Sequence, residues 1–301
     1  MAKTENKIIG DYETIEKIGV GQVTDVYKAR NIKTKELRAL KIIKLDHVKT
    51  LIEQDGGDLE DYIKRLKNEI NNMILCEKNN INSIKFFEYF EIKTEYKFVI
   101  VLELCDTNLN KFKKDKSFNS KQIYEILTQL NNTFKIMRKN EIVHRDLKPD
   151  NILIKKEKDD SYIIKLCDYG ISKIGSLSKL KTHIGTMQYM APEIMRLGDG
   201  EYYNEECDLW SLGIIIYELF FKVKPYSGAT EFALLNKIEK LGKKAIKKTG
   251  DDKLDDLISR LLESNPKKRL TWNQYFNHPF FKKEEKKENK NIDINEKDNE
   301  E

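Results

Sequence analysis

Polar and apolar residues alternate through much of the first hundred positions. Residues 12–18, 23–30, 37–45, 85–92 and 97–104 are runs rich in β-branched and aromatic side chains, several with a polar residue at every second place. A period of two sends neighbouring side chains to opposite faces, so these runs predict strands. One stretch keeps a different rhythm. Tyr62, Ile63, Leu66, Ile70, Met73 and Ile74 recur at helical spacing and predict a helix over 59–77. Ahead of it, residues 54–58 with Gly56 and Gly57 form a breaker cluster that reads as a surface loop.

Beyond residue 105 the apolar spacing lengthens toward 3.6. Ile123, Leu127, Leu130, Phe134 and Met137 lie on one stripe and predict a helix from Ser120, with that serine as its N-cap. Residues 209–221 are apolar almost all round, the mark of a helix enclosed by its own lobe. Residues 254–262 predict a further amphipathic helix, and 162–166 a short strand. A small sheet-rich lobe thus precedes a larger helical one. From residue 282 onward only Ile292 and Ile294 are apolar, too few to offset the entropy of ordering, so 282–301 is expected to be a disordered charged tail.

A chain of 301 residues exceeds the usual size of one compact core, which agrees with two lobes. The 55 basic and 50 acidic residues are interleaved, and their net +5 reads as a solvated surface, not a nucleic-acid footprint. Cys76, Cys105, Cys167 and Cys207 are scattered, with no CxxC pair and no histidine at metal-ligand spacing, which argues against zinc and against a disulfide framework. The first ten residues lack the apolar core of a signal peptide, and no run approaches about 18 uncharged apolar residues. The expectation is an intracellular, cytoplasmic protein with neither a membrane nor a nucleic acid as partner.

The densest chemistry lies in residues 142–154. His144, Arg145, Asp146, Lys148, Asp150 and Asn151 are bracketed by Ile142 and Val143 on one side and Ile152 and Leu153 on the other. Such a knot cannot be a buried strand, because each polar group would need a partner there; it reads as a loop pinned at both ends, the kind of element that carries function. Gly19 and Gly21 lie in a turn between two strands, where backbone N–H groups can approach phosphates. Lys41, flanked by Ala39, Leu40, Ile42 and Ile43, is costly to leave unpaired and should meet an anion and a carboxylate, with Glu69 on the following helix the best placed. Asp168 stands at the end of the 162–166 strand, where it can ligate a hard cation; with the amide oxygen of Asn151 it suits magnesium bridging phosphates. Downstream come Ala191, Pro192 and Glu193, then the stretch from Asp208 to Gly213.

These five signals, in this order, resemble the eukaryotic protein kinases of serine/threonine type over about residues 11–281. The resemblance implies an α+β, two-lobed fold: an extension at 1–10, an N-lobe of antiparallel sheet with one main helix over about 11–104, and a mostly helical C-lobe over about 105–281. It implies transfer of the γ-phosphate of Mg-ATP to a serine or threonine hydroxyl of a protein, with ATP and Mg2+ as cofactors. In that pattern Ile18, Gly19, Val20 and Gly21 cover the phosphates, Val23 and Val26 flank base and sugar, and Ala39, Leu102 and Leu153 line the nucleotide site. The adenine hangs from the backbone of Glu103 to Cys105, and Cys167 faces the nucleotide. Lys41 holds the α- and β-phosphates and pairs with Glu69. Asp146 accepts the hydroxyl proton, Lys148 touches the γ-phosphate, and Asn151 and Asp168 ligate the metal.

The same resemblance gives His144 a supporting place in the core, pairs Glu193 with Arg269, and sets Thr186 beside Asp146 and Lys148. Among the hydroxyls Ser172, Ser176, Ser178 and Thr182, the last is expected to be phosphorylated by an upstream kinase, with Arg145 and Lys173 as its basic partners. Three departures stand out: Thr24 in place of a third glycine, Tyr169 in place of a phenylalanine, and a long stretch between Lys41 and Glu69 attributed to the Gly56–Gly57 loop. A pseudokinase serving as a nucleotide-binding scaffold would be expected to lack Lys41, Asp146 or Asp168, and all three are present.

Overall fold

The structure, a computed structural model, describes residues 7–53, 56–114, 116–159, 161–169, 187–196 and 205–282. Ser172, Lys173, Ser176, Ser178, Thr182, Thr186 and residues 283–301 lie outside the described residues.

Six strands, β1 (Ile8–Ile9), β2 (Tyr12–Val20), β3 (Thr24–Asn31), β4 (Leu37–Lys44), β5 (Phe86–Ile92) and β6 (Lys97–Glu103), form one antiparallel sheet in the order β1-β2-β3-β4-β6-β5. Strand β6 is buried from Phe98 to Leu102 because it is covered on both faces. Val99 and Val101 join Tyr12, Ala29, Leu40 and Ile42 in a small outer core, while Phe98, Ile100 and Leu102 turn the other way with Ala39 and Ile43 into the main core. Lys41 shares this inner face of β4, opposite Ile100 in the register.

Helix α1 (Leu45–Glu53) was not expected from the pattern. Its stripe is only Leu45, Val48 and Ile52, thinly marked among polar residues. The long interval between Lys41 and Glu69 is therefore mostly helix and not loop. Helix α2 (Leu59–Glu77) starts at the Asp58 side chain, which accepts the Asp61 N–H. Tyr62, Leu66, Glu69, Ile70, Met73 and Cys76 are its buried positions, whereas Ile74 is 43% exposed and does not belong to the core face assigned to it.

The larger lobe opens with β7 (Thr107–Asn108), α3 (Leu109–Phe112) and α4 (Ser120–Lys139). Asn119, not Ser120, caps α4: its side chain takes the Gln122 N–H while the Gln122 side chain takes its own, a reciprocal box that outcompetes the serine one place along. Strands β8 (Ile152–Lys156) and β9 (Tyr162–Leu166) complete a three-stranded sheet in the order β7-β8-β9. There follow α5 (Pro192–Arg196), α6 (Cys207–Phe221), α7 (Glu231–Leu241), α8 (Asp252–Leu261) and α9 (Trp272–Phe276). Helix α6 is buried from Cys207 to Leu219, as its all-round apolar sequence requires. Glu193 and Arg269 form the expected pair, with two contacts of 2.5 and 2.7 Å. No helix among the described residues is long and apolar enough to cross a membrane.

Residues 80–84 tie the lobes together. The Ile84 N–H donates to Leu166 O, the Leu166 N–H donates to Asn82 O, and the Asn82 Nδ2 reaches Ile164 O. Asn80 donates to Thr133 Oγ1 on α4.

Close packing of α6 on α8 gives a stability prediction. A Cβ at Gly213 would sit 2.9 Å from Leu261 Cβ and from Leu262 Cδ2. Gly213→Ala should therefore cost about 1–3 kcal/mol, the usual penalty for overpacking, despite alanine's better helix propensity. Urea unfolding should show a lower midpoint at unchanged slope; an equal or higher midpoint would show that the helices separate freely.

Candidate active site

The loop between α4 and β8 is built on Asp208, a residue 2% exposed in the first turn of α6. Its carboxylate accepts the His144 N–H at 2.7 Å and the Arg145 N–H at 2.8 Å. Arg145 holds a φ of 64°, a left-handed conformation costly for a non-glycine residue. The two charge-assisted bonds hold it there. Asp208 was noticed in the sequence as part of a downstream stretch without a role; the signal was a carboxylate opening an apolar helix.

His144 is fully buried, with both ring nitrogens committed to backbone. Its Nδ1 accepts the Asp146 N–H at 3.3 Å, which leaves Nε2 to donate to Cys167 O at 2.9 Å. That fixes one neutral tautomer and gives the ring a supporting place. Asp146 is buried, with Lys148 Nζ 2.8 Å and Asn151 Nδ2 3.1 Å from its Oδ2. Asn151 also donates to Asp146 O, and its own carbonyl accepts from the Cys167 N–H at 3.0 Å. The next residue, Asp168, has a φ of 61° and lies 2.5 Å through Oδ1 from Lys41 Nζ.

The pairing of Lys41 differs from expectation. Its hydrogen-bonded carboxylate is Asp168, across the cleft on the other lobe, and not Glu69. Glu69 is buried on α2 and adds a weaker electrostatic pull. Burial works against the Lys41 charge, but Asp168 above all, with Glu69 behind it, keeps its ammonium above its ordinary value. Spacing along the chain identified a lysine in need of a carboxylate; only the approach of β9 to β4 selected which one.

Around the nucleotide-site positions, Gly21 N–H donates to Thr24 O and closes the β2–β3 hairpin. Thr24 needs no left-handed backbone, so the missing third glycine does not strain the turn. A Cβ on Gly21 would lie 3.0 Å from Thr24 O, and one on Gly19 would lie 3.2 Å from Val26 Cβ. Val20 is 78% exposed beside the tip, and Ile18 is also exposed. The sequence reading overlooked Asp25. It is buried between Lys17 at 3.1 Å and Lys44 at 2.9 Å, and although burial opposes its charge, the two lysines hold its carboxyl below the ordinary value.

Ala39 and Leu102 are paired and buried, and Leu153 is half-buried on β8. The Glu103 N–H is bound to Lys85 O at 2.9 Å. The Glu103 side chain turns to Lys155 at 2.5 Å and Lys165 at 2.9 Å, and Lys165 also donates to Ile81 O. Cys105 is half-buried, and burial pushes its thiol up to about 12. The Cys167 thiol, expected to face the nucleotide, is buried and donates to Asn151 O at 3.3 Å.

No cluster of three or more His, Cys, Asp or Glu that could hold a metal exists among the described residues. Asp168 and Asn151 bring one carboxylate and one amide, linked through the Cys167 N–H. That set fits magnesium, which keeps waters and phosphate oxygens and asks for only one or two protein ligands.

A family model described as protein kinase domain matches residues 12–281. Calcium-dependent protein kinase 5 of Plasmodium falciparum is 35% identical over 274 residues, which cover 89% of this chain and 44% of that protein. Calcium-dependent protein kinase 4 of the same organism is 31% identical over 94% of this chain and 52% of its own length. The serine/threonine-protein kinase atg1 of Dictyostelium discoideum is 31% identical over 90% and 39% respectively. The chain spans about half the length, or less, of these curated relatives. Among solved structures, Rad53 1-466 in complex with AMP-PNP matches with a TM-score of 0.70 at 26% identity, over 90% of this chain and 65% of that one.

Two predictions concern groups in and beside the cleft. Burial pushes the Cys167 thiol well above its ordinary value, so little thiolate is available to react. A thiol reagent at neutral pH should leave Cys167 untouched in the native protein, with or without ATP, yet modify all four cysteines once the chain is unfolded. Nucleotide-protected labelling of Cys167, read by mass spectrometry, would contradict the burial. For Glu103, burial opposes ionisation, but Lys155 and Lys165 prevail and hold the carboxyl below its ordinary 4.5. A lowered folded-state value means that its stabilising effect is present above pH 4.5 and is lost as pH falls through that lower value. Glu103→Gln should accordingly be less stable than wild type at pH 6 and converge with it in acid; urea midpoints that stay parallel across this range would refute the linkage.

Proposed function

The chain belongs to the protein kinase family, and from that premise we propose that it transfers the γ-phosphate of ATP to serine or threonine hydroxyls of proteins, with Asp146 accepting the hydroxyl proton. One observation carries the reading: an unbroken series of contacts runs from Lys41 through Asp168, Cys167, Asn151 and Asp146 to Lys148. Residues distant in sequence thereby share one cleft between the lobes. The serine/threonine assignment draws on Lys148, two places after Asp146, and on relatives named as serine/threonine-protein kinases.

Phosphoryl transfer spreads charge over oxygens, so the protein's work is positioning and charge stabilisation. Lys41, kept cationic, has three N–H donors and can meet phosphate oxygens while keeping Asp168. Asp168 and Asn151 would hold Mg2+, which when bound neutralises charge on the phosphates. Lys148 lies against Asp146, where it can offset the charge of an incoming γ-phosphate and orient the carboxylate that takes the proton. Asn151, bonded to both the carbonyl and the side chain of Asp146, keeps base and metal ligand in a fixed relation. A scaffold without catalysis finds no support, since Lys41, Asp146, Asn151 and Asp168 are all present and joined.

The test is purified protein with Mg-ATP and a degenerate peptide library, run beside Asp146→Asn. The variant should lose about 10²–10⁴ in kcat, the range for removal of a general base, while ATP affinity changes little. Turnover within tenfold of wild type would remove Asp146 from the proposed role.

A further inference from the structure

Tyr169, which follows Asp168 directly, is almost fully buried, and its hydroxyl lies 2.5 Å from Ser83 Oγ and 3.4 Å from Leu166 O. Its ring rests against the His144 imidazole with centroids 5.8 Å apart. Ser83 is buried too, in the same 80–84 segment that runs along β9 through Ile84 and Asn82. A phenylalanine would fill the same space, so what the tyrosine adds is a single oxygen and its bonds, the shortest to Ser83 and others to Leu166 O and the Cys76 side chain.

That oxygen matters because of what stands between its anchors. Asp168 has a left-handed φ of 61°, which its neighbours must impose. On its N-terminal side Cys167 is held twice, its N–H by Asn151 O and its carbonyl by His144 Nε2. On its C-terminal side, among the described residues, the tie is the Tyr169 hydroxyl. For Tyr169 to leave, two buried hydroxyls must lose each other, and a buried polar group without a partner is costly.

We propose that the Tyr169–Ser83 hydrogen bond is a positioning device for the Asp168 carboxylate: it fixes the flank that family-pattern phenylalanine would leave held by packing alone, and so keeps Asp168 turned toward a nucleotide-bound divalent cation. This rests on the reading of Asp168 as a metal ligand. Ser83 and Tyr169 act through Asp168 and touch no reacting atom.

The experiment is titration calorimetry of Mn2+·ADP, manganese standing in for magnesium as an oxygen-preferring octahedral ion, with metal-free ADP as the reference. The proteins are wild type, Tyr169→Phe, Ser83→Ala, the double variant and Asp168→Asn, each checked by circular dichroism. Each single variant should bind Mn2+·ADP about three- to tenfold more weakly, the loss of one net hydrogen bond, with metal-free ADP unchanged. The double variant should be no weaker than the weaker single, because both remove the same bond. If Asp168→Asn loses Mn2+·ADP and both single variants keep it, the positioning device is overturned and the metal reading survives. If Asp168→Asn binds Mn2+·ADP like wild type, the metal reading itself fails. Equal losses of metal-loaded and metal-free ADP, or misfolding of either single variant, would show a purely structural role and overturn the proposal.

Discussion

A carboxylate buried at the start of an apolar helix must find donors for its charge, and Asp208 finds them in the backbone of His144 and Arg145. The bargain runs both ways: the loop needs a left-handed residue at Arg145, and the helix needs its charge satisfied. Because α6 is enclosed by its lobe, this anchor cannot drift, and the geometry downstream inherits its position. His144 turns inward to Cys167 O; Asp146 is then left beside Lys148 and Asn151. The chemistry of the cleft is thus referenced to the deepest helix of the protein.

Lys41 and Asp168 supply the second constraint, this time across the lobes. One comes from the inner face of the N-terminal sheet and the other from the end of β9, so their ion pair spans the cleft. An ammonium this deep would lose its charge without an anion beside it, and the anion is provided by the opposite lobe. Behind the cleft, the 80–84 segment is hydrogen-bonded along β9, and Glu103 and Lys165 join the strand between the lobes to the same region. The small lobe is therefore attached through backbone bonds and the Glu103 ion pairs at the back and, among the described residues, through the Lys41–Asp168 ion pair at the front.

Much of this was legible along the chain. The 97–104 run showed as a strand, though not as one covered on both faces, and the 59–77 helix showed in its periodicity because α2 buries one clear stripe. The polar knot around Asp146 stood out because so many charged groups cannot be packed without partners. Less was legible where competing local signals were close in energy. Asn119 displaced Ser120 as a cap because Gln122 could reciprocate, and α1 was hidden by a stripe of three residues. Ile74 looked like part of the core face, yet the sheet covers only the arc that ends at Met73 and Cys76.

What the sequence determined by itself was the most strongly patterned strands and helices in their order, the two-lobed division and the residue types able to handle phosphate and a hard cation, because periodicity and the cost of burying charge are local properties. What only the tertiary structure decided was which carboxylate Lys41 meets, that Asp208 sets the loop, that Asp25 and Glu103 each gather two lysines, and that Cys167 is sealed away. Those pairings join residues from separate strands and helices, and Coulomb and hydrogen-bond energies fall so steeply with distance that a difference of a few ångströms selects the partner. Distances of that kind come from the packing of whole elements, which no stretch of sequence records.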